Sequence, residues 1–218
     1  MQHLLFWIFG AFAGYICGSL SSAVIVCRAM GFGDPRTLGS GNPGATNVLR
    51  IAGEKAAAIT LLGDSLKGFI PVVVFYILRR FFPGGVDDLT IILAGLGAFL
   101  GHLYPIFFNL QGGKGVATAF GVLLAWNPVV AVIGAGIWGA VFFNTKISSL
   151  SALVAAGVVA LASIFYAPGE WMRLATFIIV AILFYRHRSN INRLIKGEED
   201  TFGRKKLRDD FSEEDDDD

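Results

Sequence analysis

From Leu4 to Tyr185 the chain is a series of apolar stretches broken only by short polar turns and glycine-rich loops. A membrane-crossing helix takes about 20 apolar residues, or fewer where protein shields it. Seven stretches answer to that description, at about 4–30, 55–78, 89–108, 116–126, 129–143, 150–166 and 171–185. The fourth is short for a full span, and Asn127-Pro128 divides it from the fifth because proline is disfavoured inside a helix. Charged residues make up 16% of the chain, against roughly 25% in soluble domains, and many of them crowd into the segment from Glu198 onward. The net charge of +1 hides this segregation and gives no reason to expect a nucleic-acid partner. The expected fold class is all-α: a polytopic membrane protein of seven transmembrane helices.

Seven crossings put the two ends on opposite sides. Arg28, Arg36, Arg50, Lys114, Lys146, Arg186 and Arg188 fall on one side, whereas Arg79 and Arg80 dominate the other. Cations in short loops mark the cytoplasmic face, so the N-terminus is expected outside and the C-terminus inside. Residues 1–199 form the membrane domain and 200–218 a charged, disordered tail. Cys17 and Cys27 lie along one apolar segment and read as free packing residues. No Cys/His spacing suggests a metal site. The N-terminal run lacks the basic start of a signal peptide and reads as a retained helix.

Seven crossings also put every glycine-rich break on one face. The first is Gly39-Ser40-Gly41-Asn42-Pro43-Gly44-Ala45-Thr46-Asn47, followed by Arg50. Glycines let backbone N–H groups converge on a ligand; Ser40, Asn42, Thr46 and Asn47 add side-chain hydrogen bonds, and Arg50 adds a cationic fork. The second break, Gln111-Gly112-Gly113-Lys114-Gly115, also carries a cation. Each is chemically suited to phosphate, although glycines between helices also serve as plain turns. His187 and Asn190 share a helical face at the end of the last stretch. Asp64 and Lys67, three apart within a helix, are expected to pair or to face the site. His102 reads as structural, hydrogen-bonded to loop backbone.

Several chemistries are excluded. The G-x-G-x-x-G of Gly39, Gly41 and Gly44 follows an apolar helix, not the strand a dinucleotide fold requires. A Walker loop needs Ser or Thr after Lys114 and glycine at position 108, where the chain has Gly115 and Phe108. The H-x-x-x-x-D of many acyltransferases is absent, since Phe107 follows His102 and Asn192 follows His187 at that spacing. The clustered metal-binding aspartates of CDP-alcohol transferases are absent too. No general base or metal is evident.

The first motif, with Arg50, resembles that of the bacterial acyl-phosphate:glycerol-3-phosphate acyltransferases. Gly101-His102 to Pro105 together with Gly112 to Thr118 resembles their second motif, and His187 to Leu194 with Gly197-Glu198 their third. Gln111 stands where lysine is the more frequent residue. The resemblance covers about residues 4–199. It implies a seven-helix enzyme of the bacterial inner membrane with its active site on the cytoplasmic face. Such an enzyme transfers a fatty acyl group from acyl phosphate to the 1-hydroxyl of glycerol 3-phosphate, the first acylation of phospholipid synthesis. Lysophosphatidic acid and phosphate are the products. No cofactor or metal is implied, and no obligatory protein partner. A protein base is dispensable because the donor's phosphate can accept the hydroxyl proton.

Carried over by residue, Ser40, Gly41, Asn42, Thr46 and Asn47 would cradle the acyl phosphate. Arg50 and Lys114 would hold glycerol 3-phosphate with help from Ser149, while His187 and Asn190 would orient substrates or polarise the donor carbonyl. The catalytic set is then Ser40, Arg50, Lys114, His187 and Asn190, with the acyl chain among the helices or open to the bilayer. An organophosphate carrier is the main alternative, but the polar breaks gather on one face and leave the other poor in gating groups. A purely structural membrane subunit would leave both phosphate-like loops unexplained.

Overall fold

The computed structural model describes residues 2–202, which are helical between short connections. In order these are α1 (Gln2–Gly18), α2 (Ser22–Ala29), α3 (Ala45–Phe81), α4 (Asp88–Leu103), a 3-10 turn (Ile106–Phe108), α5 (Val116–Trp126), α6 (Pro128–Thr145), α7 (Ser148–Tyr166), α8 (Glu170–Arg186) and α9 (Arg188–Lys196). Five segments are long and apolar enough to cross a membrane: 3–29, 45–81, 88–108, 128–145 and 148–166. The apolar α5 is shorter, and α8 has 17 residues. Residues 203–218 of the expected tail lie outside the described residues.

α1 and α4 cross with their backbones touching. A Cβ on Gly14 would lie 2.0 Å from the Ala94 carbonyl oxygen, and one on Gly101 would lie 2.2 Å from that of Tyr15. Small residues permit this approach where apolar burial gives helices no preference for each other over lipid. The polar patch between α1 and α2 has a second use. Its Leu20 carbonyl accepts a 2.8 Å hydrogen bond from Lys67 Nζ, which also lies 2.8 Å from Asp64 Oδ1. Asp64 and Lys67 are therefore paired, and both are buried. His102 differs from expectation: its ring faces Asp64, Nδ1 to Oδ1 3.6 Å, while its main-chain carbonyl accepts the Gly113 N–H at 3.2 Å.

Two helix limits also depart from the hydropathy reading. α3 begins at Ala45, not near Lys55, so Thr46, Asn47 and Arg50 are helical. The apolar signal starts late because this helix kinks at Gly53, whose φ of 82° glycine alone adopts readily. At its other end, α4 stops at Leu103 and the chain turns through Pro105 into the 3-10 turn, since a residue preceding proline is driven out of the helical region.

Candidate functional site

The loops before α3 and α5, the start of α7 and the region from His187 to Asp200 meet around one cavity of about 610 Å³. The first is the loop before α3. Asn47, buried in the first turn of that helix, ties the loop together. Its Oδ1 accepts the Ser40 N–H at 2.8 Å, and its Nδ2 donates to the Pro35 and Leu38 carbonyls at 2.9 and 3.0 Å. Gly39 and Gly41 take the left-handed φ values, 61° and 71°, that this turn demands. A Cβ on Gly39 would lie 2.3 Å from Asn47 Oδ1. Ser40 is thereby held at the cavity, beside the start of α3, where first-turn N–H groups favour anions. Asp34 grips Arg36, and Arg36 Nη1 donates to the Phe108 carbonyl at 3.1 Å, tying this loop to the next.

The second segment carries Lys114. Gly112 and Gly113 run flush against His102: a Cβ on Gly113 would lie 2.4 Å from its Nε2. From the other side, Arg186 Nη2 donates to the Gly112 and Gly113 carbonyls at 3.2 and 2.9 Å, and its guanidinium lies over the Tyr104 ring at 5.5 Å. Thus clamped, the loop directs Lys114 Nζ to Asn190 Oδ1 at 2.5 Å. Asn190 Nδ2 donates in turn to Glu199 Oε1, which also accepts from Ser149 Oγ at 2.7 Å. Arg193 Nε donates to the other carboxylate oxygen at 2.7 Å. This chain of bonds joins the second loop, the start of α7, α9 and the segment after α9.

The local electrostatics follow from burial. Lys114 is pushed down to about 8, chiefly by burial, with Arg193, Arg186 and Arg50 pushing the same way against the attraction of Glu199. Burial opposes ionisation of Glu199, but hydrogen bonds from Ser149, Asn190 and Arg193 outweigh it and hold its carboxyl below the usual range. Burial also drives His187 down to about 4, so its ring is neutral. Its Nδ1 lies 2.8 Å from the Leu183 carbonyl oxygen, an acceptor, so Nδ1 carries the proton and Nε2 is left as the ring's acceptor. A neutral imidazole so arranged can accept a hydrogen bond at Nε2 but cannot donate one there.

Ser40, Gly41, Asn42, Thr46, Asn47, Arg50, Lys114, Ser149, His187 and Asn190 all line this one cavity. Two are differently engaged from what their residue types suggested. The side chain of Asn47 is spent on the loop itself, and Arg50 is paired with Asp200 (Nη1 to Oδ2, 3.1 Å). Asp64 lines it as well, as one of its two readings expected, and so do Arg186, Glu199, Asp200 and His102, which had not been singled out for it. Arg186 stood beside the His187 motif, but nothing local marked Glu199 or Asp200, whose roles depend on contacts far away in sequence. Among the described residues, no three His, Cys, Asp or Glu side chains gather as metal ligands.

The family described as glycerol-3-phosphate acyltransferase matches residues 8–197. The glycerol-3-phosphate acyltransferase of Hydrogenovibrio crunogenus is 53% identical over 193 residues, covering 88% of this chain and 89% of that protein. That of Neisseria gonorrhoeae strain NCCP11945 is 50% identical over 192 residues, or 88% and 95% of the two chains. In three dimensions the chain is similar to PlsY (YgiH), described as an integral membrane glycerol 3-phosphate acyltransferase. Its glycerol 3-phosphate form matches with a TM-score of 0.79 and 37% identity, over 93% of this chain and 96% of that one. Its lysophosphatidic acid form matches with a TM-score of 0.78 and 36% identity, over 90% and 95%. Sequence and fold agree over most of the chain: it belongs to the integral-membrane glycerol-3-phosphate acyltransferase family.

Proposed function

We propose that this acyltransferase takes its acyl group from an acyl phosphate and delivers it to the 1-hydroxyl of glycerol 3-phosphate. The hydroxyl oxygen attacks the acyl carbonyl carbon, the bond from that carbon to the phosphate oxygen breaks, and phosphate leaves with the hydroxyl proton. Lysophosphatidic acid and inorganic phosphate are the products. Ser40, Gly41, Asn42 and Thr46, with the start of α3, cradle the donor phosphate, and Asn47 shapes that cradle. Arg50 and Lys114 hold the phosphate of glycerol 3-phosphate, with Ser149 alongside. Asn190 holds Lys114 in place, and His187 orients the attacking hydroxyl through Nε2. No protein group removes the proton, so catalysis rests on positioning and charge stabilisation.

The observation that carries this reading is the convergence of two anion-binding loops, at Ser40 and at Lys114, on one cavity with an apolar interior. Its wall carries the neutral imidazole of His187, with Nδ1 turned to the Leu183 carbonyl. A mixed anhydride suits such a site, since it is activated in advance and its phosphate serves as the base. The same reading counts the α1–α2 pair and α3 to α8 as seven crossings. The segments at 30–44, 104–115, 146–147 and 187–202 then share one side; the first, second and fourth border the cavity, and the third leads into Ser148 and Ser149, which line it. That side is the cytoplasmic face of a bacterial inner membrane, by its loop cations.

The test is phosphate release by purified protein given palmitoyl phosphate, with and without glycerol 3-phosphate and with no added metal. Release that depends on glycerol 3-phosphate and yields lysophosphatidic acid is the expected result. Turnover with palmitoyl-CoA alone would overturn the donor assignment.

A further inference from the structure

Behind its polar mouth the cavity continues between α5, α6, α7 and α8 as an apolar channel. Its walls on α6 and α7 are made mainly by small side chains: Ala131, Gly134 and Ala135 on one helix, Ala152, Ala155 and Ala156 on the other. Protein interiors are packed without voids much larger than a water molecule, so a channel kept open by small residues is built for an occupant. Its apolar lining and its continuity with an anion-binding mouth fit an amphiphile with a phosphate end and a hydrocarbon tail.

The channel also has a floor. From Ser149 at the mouth, α7 runs on to Val159, roughly 15 Å deeper at 1.5 Å per residue. On α6, Ala131 is roughly 21 Å from the cytoplasmic end at Thr145 by the same measure. At this depth the two helices meet, since a Cβ on Gly134 would lie 2.6 Å from Val159 Cγ2. With carbon–carbon bonds of about 1.5 Å, an extended hydrocarbon advances about 1.3 Å per carbon, so depths of 15 to 21 Å correspond to roughly 12 to 16 carbons.

We propose that this channel measures the acyl chain. Ala131 and Val159 form the stop against which the terminal methyl rests, and the small residue at Ala156 keeps the middle open. The inference rests on the acyl-transfer reading above but not on which leaving group the donor carries. Chains of roughly 12 to 16 carbons fill the channel, and longer ones must bend or withdraw their head from the cradle at Ser40.

The experiment compares kcat/KM for lauroyl, palmitoyl and stearoyl phosphate in the wild type and three variants. Ala131→Phe, at the floor, is expected to raise the lauroyl-to-palmitoyl ratio about fivefold, and Ala156→Phe, nearer the mouth, at least tenfold, in order of position. Val159→Ala deepens the floor and is expected to raise the stearoyl-to-palmitoyl ratio severalfold. It keeps the test alive should a phenylalanine variant fail to fold. The KM for glycerol 3-phosphate should stay within twofold of wild type throughout. Ratios unchanged in active Ala131→Phe or Val159→Ala protein would overturn the ruler and put the chain against lipid. If only acyl-CoA is turned over, the same ratios are read on lauroyl-, palmitoyl- and stearoyl-CoA, so failure of the donor assignment and failure of the ruler remain separate results.

Discussion

Lys114 is a buried ammonium whose charge the site needs and whose burial opposes that charge. Its value of about 8 sets the direction of the pH response: as pH rises through 8 the free enzyme loses the cation that meets the substrate phosphate. The kcat/KM for glycerol 3-phosphate should therefore be greatest near pH 7 and fall towards tenfold per unit above pH 8. The kcat should change much less, because a bound dianion keeps the lysine protonated. Steady-state kinetics from pH 6 to 9.5 check this, and Lys114→Arg should abolish the alkaline fall. Lys114→Met removes a charged hydrogen-bond partner worth about 2 kcal/mol, so KM for glycerol 3-phosphate should rise roughly thirtyfold. His187 predicts a contrasting absence. Because burial holds it at about 4, its imidazole should stay neutral when the free protein is titrated by NMR from pH 5.5 to 8, and titration near 6.5 would mean that His187 is exposed to solvent or paired.

At the scale of elements, the buried group beneath the second loop joins three of them. Lys67 and Asp64 stand on α3, the Leu20 carbonyl lies between α1 and α2, and His102 at the end of α4 faces Asp64 while backing Gly113. Removing one charge leaves the other buried alone, at a cost of about 3–5 kcal/mol, whereas replacing both by apolar groups is often nearly neutral. Asp64→Asn should thus lower the melting temperature in detergent more than Asp64→Leu combined with Lys67→Met does, and a double variant worse than the single would show that the ions stabilise as a pair. The i,i+3 spacing offered this pairing as one of two readings, beside facing the site, and the alternation of apolar stretch and polar break was legible outright, because hydropathy is a property of composition. The start of α3 was not, because Thr46, Asn47, Arg50, Glu54 and Lys55 interrupt the apolar residues on both sides of the Gly53 kink and so mask the helical period. The ten candidate residues were readable as a set because anion binding selects recognisable residue types. The hydrogen bonds of Asn47 within its own loop were not, since they depend on where Pro35 and Leu38 end up.

Taken whole, the molecule closes the cavity side with the segment after α9, and its two consecutive acids act in opposite senses. Glu199 is nearly enclosed and bonded to Ser149, Asn190 and Arg193; beyond it the Phe202 N–H donates to the Lys146 carbonyl at 2.8 Å and the Phe202 ring packs on Phe142. These contacts fasten α9 across the ends of α6 and α7, so Asn190 holds Lys114 only while Glu199 holds Asn190. Asp200 is largely exposed and occupies Arg50, where an incoming phosphate must compete with it. Glu199→Gln weakens a charged acceptor shared by three donors and should cut kcat at least tenfold, with Asn190 no longer fixed. Asp200→Asn frees Arg50 at the cost of a surface ion pair worth less than about 1 kcal/mol. The KM for glycerol 3-phosphate should then fall by up to about fivefold at low ionic strength, with kcat unchanged. Because salt already screens an exposed pair, the advantage of the variant should fade as ionic strength approaches 0.5 M. A KM that rises in Asp200→Asn would mean that the carboxylate aligns Arg50 for the substrate and does not compete with it, making the whole segment part of the binding site and not its rival.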